Sequence, residues 1–267
     1  MEKKLASAQD PTTPPEVLAE LARDSEWLVR WGVARNKSAP VGVLEHLAGD
    51  PSTLVRLEVT RNKNASARAL ERLAGDREVN VRRQIAWNPN TPVEVLEGLA
   101  RDQDAETRWV VAQNKNTSAP VLEQLARDPE EWVRRGVASN PSTPAHVLEG
   151  LAGDASWGVR QMVAENAFVP AHLLERLSRD PDWMVRRETA KNPNTPVEVL
   201  ARMCRDRNAG VREMAAWALL GRLEELPEDP ALWLAIWEAA DTEGRRKIEE
   251  HPYGQTVAVL ARLSCPR

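Results

Sequence analysis

Cysteine is too scarce in this chain to build anything with. Cys204 and Cys265 are the only two in 267 residues, which excludes a disulfide framework and a thiolate metal site. Histidine is hardly more abundant. His46 and His251 have no acidic or sulfur partner at ligand spacing, while His146 and His172 stand 26 residues apart at equivalent positions. Stacked helices roughly 8–10 Å apart would hold that pair too far apart for one ion, so no metal and no cofactor are expected. No apolar run approaches the roughly 20 residues a bilayer span requires. The opening MEKKLASAQD lacks the apolar core of a secretory signal, so a cytoplasmic location is expected. Strong net charge is missing as well: 36 Lys and Arg face 40 Asp and Glu, for a net charge of -4. That balance argues against a wholesale nucleic-acid binder and against a disordered chain, and any basic surface must be local. Phosphate loops, zinc motifs and nucleophile elbows are absent.

What the chain has is repetition. The stretch NPNTPVEVLEGLARDQDAETRWVVAQ, residues 88–113, returns in altered form every 26 residues, with copies opening at Asp10, Asn36, Asn62, Asn88, Asn114, Asn140, Asn166 and Asn192. Eight such units fill residues 10–217, and a fixed period of this length marks a solenoid. Residues 1–9 fit the period poorly and are read as an N-terminal partial cap. After Trp217 the period slips, and residues 218–267 read as a degenerate repeat and C-terminal cap. There ALLGRLEEL is expected to prolong the last second helix to Leu226. Asp229-Pro230 then opens an apolar helix with Leu234 and Trp237 at the repeat's spacing, and VLARL at 259–263 imitates another first helix.

Each unit reads as two helices. Thr13-Pro14, Thr91-Pro92, Thr143-Pro144 and Thr195-Pro196 open the first, with Thr as cap and with Glu16, Glu94 and Glu198 three residues on completing a capping box. Leucines three apart, such as Leu96 and Leu99, give the one-sided apolar stripe of a short amphipathic helix. The second helix follows an aspartate present in every copy: Asp24, Asp50, Asp76, Asp102, Asp128, Asp154, Asp180 and Asp206. Its carboxylate suits an N-cap. Six residues beyond each stands an arginine: Arg30, Arg56, Arg82, Arg108, Arg134, Arg160, Arg186 and Arg212. The helix should end at the asparagine opening the next unit, a residue that tolerates left-handed backbone. The class is therefore all-α, a solenoid of paired helices with the second helices on the concave side, and eight units stacked at about 10 Å would span roughly 80 Å.

Strand-bearing leucine-rich repeats share this range of period but need an alternating LxLxxN run, whereas apolar residues here follow helical intervals. Segments such as VASNPSTPAHVLEGLAGD and NPNTPVEVLARMCRD closely resemble the leucine-rich repeat variant family, over residues 10–217. The resemblance implies a right-handed superhelix of short paired helices. The DxxxxVR element, Asp128 to Arg134 and Asp180 to Arg186, is similar to the HEAT repeat. One member of the variant family carries an iron–sulfur cluster on an N-terminal cysteine segment. No cysteine precedes Cys204 here, so nothing supports a cluster.

A residue present in every unit serves what every unit shares, so the Asp and Arg ladder is expected to cap helices and bond units together. Cys204 replaces a repeat alanine on an apolar face and should be core. Specificity is sought where copies differ. On a helical wheel the face of the second helix opposite its core carries Leu28, Trp31 and Arg35; Leu54, Leu57 and Arg61; Asn80, Arg83 and Trp87; Glu106, Trp109 and Gln113; Trp132, Arg135 and Ser139; Gly158, Gln161 and Glu165; Met184, Arg187 and Lys191; Gly210, Glu213 and Trp217. Trp27, Trp157 and Trp183 lie at its flank and are expected to pack between units. Six cations there, Arg35, Arg61, Arg83, Arg135, Arg187 and Lys191, face three acids, Glu106, Glu165 and Glu213, giving a stripe of +3 on a chain of -4.

This pattern predicts a non-enzymatic scaffold. Its expected partner is an acidic and apolar protein or peptide segment, with Trp31, Trp87 and Trp109 as anchors and Trp132 and Leu57 beside them. Two alternatives stand beside it. One is a nucleic-acid binder, up to an enzyme similar to the HEAT-like alkylpurine DNA glycosylases, although the stripe has no aspartate of the kind those enzymes use. The other is a purely structural spacer.

Overall fold

The computed structural model describes residues 1–264, without the side chains of 260 and 262–264, and Cys265 lies outside the described residues. Contacts divide the chain into two compact units, the first ending at Ser142 and the second beginning at Thr143. Among the described residues there are helices and no strands.

The first unit opens with α1 (Glu2–Gln9). Short and longer helices then alternate: α2 (Pro15–Leu21), α3 (Trp27–Arg35), α4 (Val41–Leu47), α5 (Thr53–Arg61), α6 (Ala67–Ala74), α7 (Val79–Trp87), α8 (Val93–Leu99), α9 (Ala105–Gln113), α10 (Ala119–Leu125) and α11 (Glu131–Ser139). The odd-numbered helices stack directly, α1 on α3, α3 on α5, and so on to α11. Leu44 and Leu47 from α4 and Val55 and Val59 from α5 are fully buried, as are their counterparts Leu70, Leu73, Val81 and Ile85. Burying one such side chain is worth about 1.5–3 kcal/mol, and each helix pair is too short to gain it alone. Gly32 lets α1 approach, because a Cβ there would stand 3.0 Å from Ala8 Cβ and 3.1 Å from Leu5 Cδ1.

The second unit continues the alternation with α12 (Ala145–Leu151), α13 (Trp157–Glu165), α14 (Ala171–Leu177), α15 (Trp183–Lys191), α16 (Val197–Met203) and α17 (Ala209–Leu220). The last of these stops at Gly221 rather than running to Leu226, and a 3-10 turn, Leu223–Glu225, follows. Then come α18 (Pro230–Ala239), α19 (Thr242–Glu250) and α20 (Pro252–Ser264). Asp229 caps α18 through the Ala231 N–H. The buried face of α18 is Leu232, Trp233 and Ile236, whereas Leu234 and Trp237 are half-buried. The Trp233 indole donates to Pro227 O at 2.9 Å, and Tyr253 Oη donates to Glu228 O at 3.0 Å, which ties the end of the chain to α18. Cys204 is buried, and burial pushes its thiol up to about 12. No helix among the described residues is long and apolar enough to cross a membrane.

Two sets of side-chain hydrogen bonds clamp the ends of the longer helices. At the N-terminal end an arginine bridges neighbours: Arg56 Nη1 donates to Asp50 O (2.8 Å) in its own loop, while Nε and Nη2 grip the next loop's Asp76 at 2.5 and 2.9 Å. The same fork joins Arg30 to Asp50, Arg82 to Asp102, Arg108 to Asp128, Arg160 to Asp180 and Arg186 to Asp206. Only a guanidinium offers donors in that fixed geometry. Before the first copy Lys4 substitutes, its Nζ 2.7 Å from Asp24. At the far end of the ladder Arg212 Nη1 donates to the Asp206 and Arg207 carbonyls.

At the C-terminal end the clamp is asparagine. Asn62 Nδ2 donates to Ala34 O (2.7 Å) and Asn36 O (2.9 Å) of the preceding turn, and Asn36, Asn114, Asn140 and Asn192 do the same one copy along. Its Oδ1 accepts the N–H two residues on, as from Asn64. The asparagines are extended rather than left-handed, Asn36 having φ -66 and ψ 125, because the buried amide rather than a turn fixes them. No described non-glycine residue has positive φ.

Two further expectations about caps are corrected. The Thr-Pro capping box does not form at α2, α8, α12 or α16: Pro14, Pro92, Pro144 and Pro196 take the N-cap place and no side chain caps the helix. Threonine, one residue too early, turns back instead, with Thr91 Oγ1 donating to Ile85 O and Thr195 Oγ1 to Thr189 O. The repeated aspartate likewise lies two residues before the N-cap, where it closes an Asx turn: Asp50 Oδ1 accepts from the Ser52 N–H at 2.8 Å.

Arg56→Ala should lower stability by about 3 kcal/mol, because it strands the buried Asp76 carboxylate, and Arg56→Lys should recover only part of that loss. Urea midpoints compare the three proteins. A second expectation concerns acid. Burial raises the Asp76, Asp102 and Asp206 carboxyls, but hydrogen bonds from Arg56, Arg82 and Arg186 and from backbone N–H groups hold them below their ordinary value. A lowered folded value contributes stability above the unfolded value of roughly 4, and that stability is lost as pH falls through the folded one. The urea midpoint should therefore be nearly flat from about pH 7 to 5 and fall below about pH 4.

Candidate interaction surface

On α3, α5, α7, α9 and α11 of the first unit, residues three and seven apart share the face away from the core. Trp31 is half-buried and carries the Arg35 guanidinium 5.2 Å above its ring. Leu57 is half-buried, and Arg61 reaches Glu58 at 3.1 Å. Arg83 is engaged by acids, with Nε and Nη2 each 2.8 Å from Asp104 and Nη1 2.6 Å from Glu106. Asp104 also caps α9 through Thr107, and the Arg83 fork holds its carboxyl far below the usual range. Trp87 stands out at 62% exposure.

Trp109 and Trp132 meet edge to face with centroids 6.1 Å apart. Trp109 lies over Gly136, where a Cβ would come within 3.0 Å of Cδ1. The Trp132 indole points at Glu130 Oε2, 3.2 Å away. Arg135 is exposed. In the second unit Arg187 is exposed and Lys191 pairs with Glu188 at 2.7 Å. Trp217, at 68% exposure, borders a cleft of about 230 Å³ with Arg187, Glu213 and Asp241.

Three expectations change on this geometry. Trp31, Trp109 and Trp132 are packed rather than free, so Trp87 is the projecting aromatic of the first unit's stripe. Trp27, Trp157 and Trp183, expected to pack between units, keep 42–43% of their surface exposed. The stripe's surplus of positive charge also disappears, because Glu58, Asp104 and Glu188, outside the wheel's face, pair with Arg61, Arg83 and Lys191. Two of those acids lie three residues before their partners, a helical spacing that would have revealed them.

What remains is a local basic corner. A cleft of about 300 Å³ between the ends of α3 and α5 is lined by Arg35, Lys37, Arg61, Lys63, Glu58 and Asn64. A second, of about 420 Å³, shares Arg35 and Lys37 and adds Gln9 and Pro11. Lys37 and Lys63 were not singled out by the wheel, since each follows a clamp asparagine and belongs to the loop.

Residues 2–60 match the family model of the Leucine Rich Repeat Variant domain, and residues 131–156 match that of the Leucine rich repeat variant. Over those two stretches the chain carries repeats of the leucine-rich repeat variant type. A solved structure described as a leucine-rich repeat variant with a novel repetitive structural motif is similar at 27% identity, covering 76% of this chain and 81% of that one with a TM-score of 0.60. Together with the stacked helices this makes the molecule an all-helical repeat solenoid scaffold. Also similar are Escherichia coli YibA, at 16% identity over 90% of this chain and 98% of that one (TM-score 0.36), and importin beta, at 14% over 98% and 40% (TM-score 0.33). No curated protein sequence matches. Among the described residues no group of three or more His, Cys, Asp or Glu could hold a metal ion.

Asp104 and Arg83 show how the variable face can be locked by an acid of the next copy. Asp104→Ala removes the α9 cap and one of Arg83's two acidic partners together, and should cost about 1–2 kcal/mol in urea unfolding. Arg83→Ala leaves the cap intact and should cost less.

Proposed function

We propose that the chain is a non-enzymatic binding scaffold whose first unit holds an acidic, partly apolar protein segment across the variable face of its longer helices. One observation carries this reading: four cations, Arg35, Lys37, Arg61 and Lys63, line one open cleft with Glu58 as the only carboxylate. These residues vary between copies while the clamps beside them do not. The Arg61–Glu58 contact is surface-exposed on the arginine side and weak enough to yield to a ligand. Trp87 supplies exposed apolar area on the next helix, and Trp and Arg are the side chains on which interface energy most often concentrates.

The acids that pair with the stripe's cations favour a protein segment over a polyphosphate. Arg83 and Lys191 are already neutralised by Asp104, Glu106 and Glu188, and continuous phosphate tracking needs an uninterrupted row of cations. Asp104, tied to Arg83 and to the α9 N-terminus, is spoken for as a cap and counter-ion, which supports a binding role over a catalytic one.

Affinity capture from a cell lysate, with the native chain beside Trp87→Ala and the pair Arg35→Glu with Arg61→Glu, tests the reading. A protein retained by the native chain should be lost from both variants, and its acidic segment should bind alone. Identical retained sets for all three chains would leave the face a bare spacer surface and end the proposal.

A further inference from the structure

The ends of α3, α5 and α7 present one row of equivalent residues across the first unit: Arg35, Arg61 and Trp87. All three are exposed, and the two arginines share a cleft with Lys37 and Lys63. The row then continues with Gln113 and Ser139, which offer neither charge nor apolar area. It is therefore a three-position pattern: cation, cation, aromatic.

The spacing of that row selects the conformation of what it can bind. Helices packed as α3, α5 and α7 are lie roughly 8–10 Å apart. An extended β-strand returns a side chain to the same face after about 7 and 13 Å, and an α-helix after about 5.4 and 10.8 Å at one and two turns, so neither repeat falls inside that interval. A polyproline II helix has three residues per turn and a rise of about 3.1 Å, which repeats one face at about 9 Å.

Resting on the scaffold reading above, we infer that this row recognises an acidic segment in polyproline II conformation, with carboxylates at the first and fourth residues and an apolar residue at the seventh. The first carboxylate meets Arg35, whose guanidinium lies over the Trp31 ring. Arg61 gives Nη1 to Glu58 and keeps its remaining donors for the second carboxylate. Lys37 and Lys63 flank both sites from the loops. The apolar residue lies on Trp87. A preformed polyproline II segment loses little conformational entropy on docking, which suits a shallow, open cleft.

Fluorescence anisotropy with two labelled peptides of equal composition tests the spacing. One is Glu-Pro-Pro-Glu-Pro-Pro-Leu. The other is Glu-Pro-Glu-Pro-Leu-Pro-Pro, with the acids two apart. The native chain should bind the first at least about tenfold more tightly, Trp87→Ala should weaken it about tenfold or more, and the pair Arg35→Gln with Arg61→Gln should reduce both peptides to the same residual binding. All three side chains are exposed, so far-ultraviolet circular dichroism should be unchanged. Equal affinity for the two peptides overturns the inference, and does so without touching the scaffold reading if a captured protein still depends on Trp87. If no peptide binds and no captured protein depends on these residues, both fall. A random single-stranded oligonucleotide that binds more tightly than either peptide, and is lost in the arginine pair, would assign the corner to nucleic acid and also overturn the inference.

Discussion

A guanidinium whose donors are divided between two loops is the contact on which this architecture depends. Each bridging arginine bonds its own loop carbonyl through Nη1 and the next loop's aspartate through Nε and Nη2. The aspartate in turn accepts the N–H that starts its own Asx turn. Loop shape and copy-to-copy register are therefore set by one connected network. A lysine has no such fork, which is why Lys4 serves only as the terminal substitute against Asp24. The asparagine amide at the opposite end of the helix satisfies a carbonyl of the last helical turn, such as Ala112 O, that helix termination leaves without a backbone donor. Held at both ends, the helix has one face committed to the leucine and valine core and another whose residues differ from copy to copy.

That division of labour explains where the copies differ. Arg35, Arg61 and Trp87 occupy equivalent places, each followed by a clamp asparagine whose amide reaches the preceding copy. A basic corner or an exposed aromatic can arise at one copy while the arginine and asparagine clamps, which lie elsewhere, keep joining it to the next. The same freedom allows local neutralisation, as where Asp104 occupies the N-cap of α9 and also receives Arg83.

Much of the fold was legible in the sequence because period and apolar spacing are local properties. The paired helices follow from Leu96 and Leu99 repeating every 26 residues, and the buried state of Cys204 follows from the alanine it replaces. The caps were misread because the same residue types satisfy backbone groups in more than one direction. Threonine before proline reaches back to a carbonyl six residues earlier, and the asparagine forms an inter-copy amide bond rather than a left-handed turn. The surface was legible only in part. A wheel ranks residues by angle, but Glu58, at the edge of that angle, is close enough to pair with Arg61, and Lys37 and Lys63 enter from a loop that a wheel does not include. Whether Trp109 projects or packs depended on Gly136 in the following copy, a contact that helical periodicity cannot express.

The central claim is that the clamps carry the fold and the variable face carries recognition. The direct measurement is urea unfolding of two variants side by side: the triple Arg35→Gln, Arg61→Gln, Trp87→Gln, and the single Asn114→Ala. The triple should stay within about 1 kcal/mol of the native chain, as exposed substitutions do, while the single change should cost about 2 kcal/mol by removing the amide bond to the Ala86 carbonyl, Asn88 O keeping the Thr91 N–H. A triple variant less stable than the single one would show that the face is part of the fold and would contradict the account.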